Sequence, residues 1–148
     1  MSRGYSLMEL VVTLAVLAVA AALVAPAVGR AAHDVRARAE AGAVAAFLRG
    51  AREQAVTRQQ ALDVTLDRDA HALLLQPARR EGRPAAPTRR AFQARLRVEG
   101  SPTATGVTFL PHGMSTGARF TVETPGARPY VIAVDPLTGR VTTQRGPR

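Results

Sequence analysis

Residues 4–28 read GYSLMELVVTLAVLAVAAALVAPAV, an apolar run with an acid at its mouth. From Leu10 to Gly29 no side chain is charged, and Glu9 stands immediately before that run. At 1.5 Å per residue a helix over 10–29 is about 30 Å long, which matches the hydrocarbon thickness of a bilayer. A secretory signal peptide is the first alternative. Its apolar region is usually only about 7–15 residues, preceded by cations and followed by a small-residue cleavage site. Here the run is longer and its border is an acid, although Ala25-Pro26-Ala27-Val28-Gly29 mimics a cleavage site. Residues 10–29 therefore read as a membrane-spanning helix. A carboxylate within a bilayer costs a few kcal/mol and calls for a partner nearby. The plainer alternative is an acid that snorkels to the headgroups beside an ordinary anchor.

The composition sets the frame around this segment. A chain of 148 residues has room for one domain and an accessory segment. Aromatic residues make up only 4%, and Phe47, Phe92, Phe109, Phe120 and Tyr130 fall in separate segments, as in a small core to which each element adds one large side chain. The net charge is +9 and all 20 basic residues are Arg, a bias that fits GC-rich coding as well as selection. Such an excess favours acidic partners: nucleic acid, anionic lipid or an acidic protein face. The plain reading is a solvated basic surface. With no cysteine, disulfides and thiolate metal sites are excluded. Arg30, Arg36 and Arg38 follow the apolar run and only Arg3 precedes it, so charge counting alone puts the C-terminal side in the cytoplasm. Long domains translocate largely regardless of charge, however.

Beyond the run, residues 30–60 are rich in Ala, Arg, Glu and Gln, good helix formers. Val44, Leu48, Ala51 and Ala55 recur at helical spacing with Phe47 beside them, while Arg38, Arg49, Arg52, Glu53 and Arg58 fall on the other face. This predicts an amphipathic helix lying on a globular domain. After Ala61 the period becomes two: Leu62, Val64 and Leu66 alternate with Asp63, Thr65 and Asp67, and Ala72–Leu75 returns as a partner strand. Further strands are expected over Phe92–Val98, Val107–Phe109, Phe120–Val122, Tyr130–Val134 and Arg140–Thr143, separated by Gly- and Pro-containing turns. About seven short strands over 61–148, preceded by a long helix, predict an α+β fold. In it the helix packs on a small antiparallel β-sheet or sandwich.

Enzyme chemistry is sparse. His33, His71 and His112 are far apart and lack metal-ligand spacing; Ser115 has no GxSxG elbow around it. Asp63, Asp67 and Asp69 lack the spacing and closing Glu of an EF-hand, leaving only a loose calcium site as an alternative. No phosphate-binding Gly-rich loop is present, so no cofactor and no catalysis are expected. The stretch ARREGRPAAPTRR, residues 78–90, is different in kind. Arg79, Arg80, Arg83, Arg89 and Arg90 face one acid, Glu81, and Pro84 and Pro87 oppose regular structure. It reads either as an exposed loop or as a surface that tracks phosphates.

The first residues, Met1-Ser2-Arg3-Gly4 and then Tyr5-Ser6-Leu7-Met8-Glu9, resemble the leader of type IV pilins and type II secretion pseudopilins. The resemblance implies cleavage of leader 1–4 after Gly4 by a prepilin peptidase and N-methylation of the new terminus, Tyr5, where Phe is the usual residue. It also makes Glu9 the assembly acid, paired with the α-amine of a neighbouring subunit. Filament-forming pilins often carry a proline near the position of Pro26. Farther on, Val107-Thr108-Phe109-Leu110-Pro111-His112-Gly113, the late Thr138-Gly139-Arg140-Val141 and the helical Ala51-Arg52-Glu53-Gln54-Ala55-Val56 resemble the GspH/FimT group of minor pilins. That group implies a single-pass inner-membrane subunit with a periplasmic β-domain. Its partners would be other pseudopilins, major and minor, and an inner-membrane assembly platform. The alternative within the group is a FimT-like pilin that binds DNA in natural transformation. For that role Arg79, Arg80, Arg89, Arg90, Arg140 and Arg145 are the candidates, with Thr142 where a second Arg would stand.

Overall fold

The computed structural model describes residues 6–79, 86–100 and 105–147, with the backbone alone at 24–28 and 30. Helix α1, Leu7–Thr57, is a single element of 51 residues that passes position 26 without interruption. Its two halves differ in what they touch. Ala37, Ala41, Val44, Ala45, Leu48, Ala51 and Ala55 are buried at steps of one, three and four, forming one stripe. Alanine at most of these positions lets the helix backbone come close to the sheets. From Leu7 to Leu23, by contrast, every side chain is exposed.

Eight strands follow: β1 Leu62–Asp67, β2 Ala72–Pro77, β3 Thr88–Ala91, β4 Arg95–Glu99, β5 Gly106–Phe109, β6 Ala118–Glu123, β7 Tyr130–Val134 and β8 Val141–Arg145. They form two antiparallel four-stranded sheets with orders β3-β2-β1-β5 and β4-β6-β7-β8. The α+β expectation holds: α1 lies across both sheets, touching β1 and β5 of the first and β6, β7 and β8 of the second. Strand β1 alternates as its sequence predicts, with Leu62, Val64 and Leu66 inward. Phe109, Phe120, Leu48, Leu73 and Ile132 are the largest fully buried side chains. They belong to one core cluster shared by the helix and both sheets.

Three details depart from the sequence reading. Thr88–Ala91 is a strand, not loop; it pairs only with β2, and all four residues are exposed, so no burial period marks it. Phe92 and Ala94 are buried, yet the strand begins only at Arg95. The chain turns inward before β4 through the Phe92 N–H, which donates to the His71 carbonyl at 2.9 Å. The last strand runs Val141–Arg145, one residue later at its start than expected and longer.

Candidate functional site

The first candidate is the bare half of α1. Leu7 is 81% exposed and Leu23 74%, and Met8, Leu10, Val11, Val12, Leu14, Val16, Leu17 and Val19 are exposed between them. Large apolar side chains at consecutive positions surround the helix, a pattern found where a helix is enclosed by other apolar matter. Exposed patches of this kind mark interaction surfaces. Among the described residues no helix is long and apolar enough to cross a membrane. The unbroken block of described side chains ends at Leu23, whereas the sequence run continues to Gly29. Glu9 lies in the first turn, exposed, with no ion pair among the described residues. Gly4 and Tyr5 lie outside the described residues.

The second candidate is a cleft where three separated motifs meet. Gly113, at φ +89°, ends the turn after β5, and Gly139, at φ +62°, ends the turn before β8. Both occupy the left-handed region, where a side chain is costly. A Cβ on Gly139 would collide with the Gly113 carbonyl oxygen and come within 2.9 Å of Arg52 Nε. One on Gly113 would lie 3.1 Å from Arg52 Nη2. Arg52 itself donates from Nε to the Gly113 carbonyl at 3.2 Å. The two glycines thus leave room for an arginine stem from α1, which bonds the Gly113 turn and packs beside Gly139. One turn of helix earlier, Arg49 donates from Nη2 to the Val141 carbonyl at 3.4 Å.

Around this latch opens a cleft of about 690 Å³, lined by Arg49, Arg52, Val56, His112, Arg140 and Val141, with Glu53 its one acid. Arg140 is exposed and makes no side-chain hydrogen bond or ion pair among the described residues. The turn that presents it is held by Asp135. Its Oδ1 accepts from the Leu137 N–H at 3.0 Å, the Thr138 N–H at 2.8 Å and the Thr138 hydroxyl at 2.9 Å. These bonds, those of Thr138 foremost, hold the Asp135 carboxyl below its ordinary pKa.

The structure separates the sequence-predicted arginines. Arg89 and Arg90 are exposed on β3, the edge of the first sheet, with Arg90 stacked 5.7 Å from the Phe92 ring centre. Arg79 is exposed just after β2. Arg80 and Arg83 lie outside the described residues. Arg140 is in the cleft, beside the second sheet. Arg145 bonds Asp34 of α1 at 2.9 Å and lies 5.8 Å from the Tyr130 ring centre; Tyr130 first and Asp34 next raise its pKa.

Arg52 is a correction: the sequence reading put it on the polar face, but it is half-buried and bonds the β-domain, whereas Arg49 is exposed as expected and reaches the Val141 carbonyl from there. The signal was their position one i+4 step from buried Ala45 and Leu48.

The remaining candidates are engaged in structure. Ser115, 7% exposed, donates to the Asp135 carbonyl at 2.9 Å and accepts from the Gly117 N–H at 3.1 Å. Asp63 accepts from the Thr108 hydroxyl at 2.6 Å, and Asp67 from the Ala70 N–H at 3.0 Å. His33 packs over the Gly126 turn, and His112 lines the cleft. Among the described residues no group of three His, Cys, Asp or Glu side chains could hold a metal ion.

A long helix, half docked on a β-domain and half bare, is the α+β arrangement of the pilin fold. Residues 40–138 match the family described as type II transport protein GspH, and the chain belongs to that family. Among solved structures, the type IV minor pilin FimU of Pseudomonas aeruginosa shares 20% identity at a TM-score of 0.57, over 72% of this chain and 91% of that one. The minor pseudopilin EpsH from the type 2 secretion system of Vibrio cholerae shares 14% at a TM-score of 0.59, over 78% and 97%. At these identities the likeness is one of fold. No curated protein matches the sequence. The three motifs that meet at Arg52 lie in the matched stretch or at its boundary.

Proposed function

We propose that this chain is a minor pseudopilin, a structural and non-enzymatic subunit of the periplasmic pseudopilus of a type II protein secretion system. The supporting observation is the division of α1: one continuous helix buries a stripe against the β-domain from Ala37 onward and leaves Leu7–Leu23 bare. A rigid, apolar, unpartnered half-helix fits a subunit that packs with copies and relatives of itself. In this reading residues 1–4 are a leader removed by a prepilin peptidase, and 5–29 form the single-pass inner-membrane and assembly helix. Residues 30–60 continue it as the docked helix, and 61–148 form the periplasmic domain. Cleavage after Gly4 frees the amine of Tyr5, which is then N-methylated. Glu9 pairs with the amine of the adjoining subunit as the assembly platform draws it from the bilayer. Pairing in a low dielectric offsets desolvation of both groups, and a misplaced subunit leaves a buried charge unpaired.

The test is Glu9→Ala. The variant should accumulate in the inner membrane as wild type does, yet be strongly depleted from sheared pseudopili. Equal incorporation would refute the pairing role. A DNA-binding minor pilin is the second reading, supported by the exposed guanidinium groups of Arg89, Arg90 and Arg140. Duplex binding that falls with salt and with Arg140→Ala would favour it.

A further inference from the structure

We propose that the cleft between α1 and the Gly113 and Gly139 turns is a docking site for an acidic peptide segment, whose carboxylates are read by Arg49, Arg52 and Arg140. The inference concerns a face remote in sequence from the assembly helix and does not rest on the filament reading. It starts from charge. Three guanidinium groups and His112 line one recess whose single acid, Glu53, forms no ion pair among the described residues. Elsewhere on the surface Arg97 and Arg145 have Glu123 and Asp34 beside them. Here the positive groups are gathered without such compensation, so an anion entering the recess relieves their mutual repulsion.

Geometry adds preorganisation. Arg52 and Arg49 each use one donor to hold a backbone carbonyl, Gly113 and Val141 respectively. A guanidinium presents five N–H donors in a planar fork, so each retains donors that suit a carboxylate. The Arg52 stem, half-buried beside the two glycines, is already positioned, which reduces the ordering cost of binding. Arg140 stands across the recess on a turn stiffened by Asp135. Apolar walls at Val56 and Val141 lower the local dielectric and give a peptide stem something to lie on.

The shape favours a peptide over a duplex or a lone small anion. Nucleic-acid phosphates lie on the outside of a wide cylinder and meet cations on an open face, whereas here the half-buried Arg52 lies in the cleft wall with the exposed Arg49 and Arg140 at its rim. A second groove of about 670 Å³ shares Arg49 with this cleft and is lined on α1 by the exposed Arg38, while at its far side Arg145 is already paired with Asp34. The uncompensated basic side chains therefore extend from the cleft through Arg49 to Arg38, which suits an extended chain with several acids.

The test uses the full chain in detergent micelles and fluorescence anisotropy. The probes are a labelled peptide of alternating Glu and Ala, its Gln counterpart, and a mixed-sequence DNA duplex. The Glu peptide should bind, and the Gln peptide should be about tenfold weaker or worse, since charge-assisted bonds are lost. Arg140→Gln and Arg49→Gln should each weaken the Glu peptide by about tenfold on the same grounds, with far-UV circular dichroism unchanged. Arg89→Gln, on the edge of the other sheet, should leave binding as it is. The proposal is overturned if the Glu peptide fails to bind at low salt, if the Gln peptide binds equally, or if Arg140→Gln has no effect. A duplex that displaces the peptide and itself depends on Arg140 would also overturn it, making nucleic acid the ligand.

Discussion

Replacing Gly139 by alanine examines the latch that joins the helix to the β-domain. Two costs arise at this position. At φ +62° an alanine adopts the left-handed conformation, at about 1–2 kcal/mol. Its Cβ also runs into the Gly113 carbonyl oxygen and lies 2.9 Å from Arg52 Nε and 3.2 Å from Arg52 Cδ. Backbone cannot swing aside as a side-chain tip does, so the turns must part, an overpacking cost of about 1–3 kcal/mol. Parting them stretches the Arg52–Gly113 bond, so a total near 3–5 kcal/mol is expected, a large fraction of the about 5–15 kcal/mol that holds a domain folded. Gly100→Ala is the internal control. Its φ is +67° and among the described residues nothing lies within 4 Å of the new Cβ, so only the conformational cost is expected. Gly113→Ala should fall between them, because its new Cβ meets the movable end of Arg52 at 3.1 Å. Urea unfolding of the full chain in micelles, followed by far-UV circular dichroism, measures all three. If Gly139→Ala and Gly100→Ala lie within about 0.5 kcal/mol of each other, the latch does not exist as described.

Two further outcomes are expected. Leu48, fully buried at the centre of the α1 stripe, should cost about 2–5 kcal/mol as Leu48→Ala; a loss below about 0.5 kcal/mol would mean the helix is not docked. Asp135 gives a pH effect whose sign follows from its lowered pKa. Above the ordinary aspartate pKa, about 3.9, its contribution to stability is fully present. As pH falls from there through the lower folded value, the unfolded chain takes up the proton first and stability is lost. Asp135→Asn should therefore show a shallower fall in urea midpoint between about pH 5 and pH 3 than wild type; parallel falls would remove the carboxylate from the turn's stability.

The features legible in the sequence are those set by local periodicity. Leu62, Val64 and Leu66 announced β1, Val44, Leu48, Ala51 and Ala55 announced the docked face of α1, and the Gly- and Pro-containing segments announced turns between the strands. Strand β3 was hidden because an edge strand with four exposed residues has no alternation to read. The two-sheet arrangement was hidden because β1 pairs with β5 across the intervening β2, β3 and β4, a choice no local window contains. The cleft was missed for a subtler reason. Sorting a helix into an apolar and a polar face treats every charged position as solvent-facing. A helix lying across two sheets has flanks as well, and a residue four positions after a buried one stands on a flank. Arg49 follows Ala45 and Arg52 follows Leu48 in this way. Whether such an arginine reaches water or protein then depends on what lies opposite. Opposite Arg52 are two positive-φ glycines that leave its stem room and offer a carbonyl. The glycines that read as turn chemistry alone therefore do a second thing: they turn a helix-surface arginine into part of the β-domain's wall.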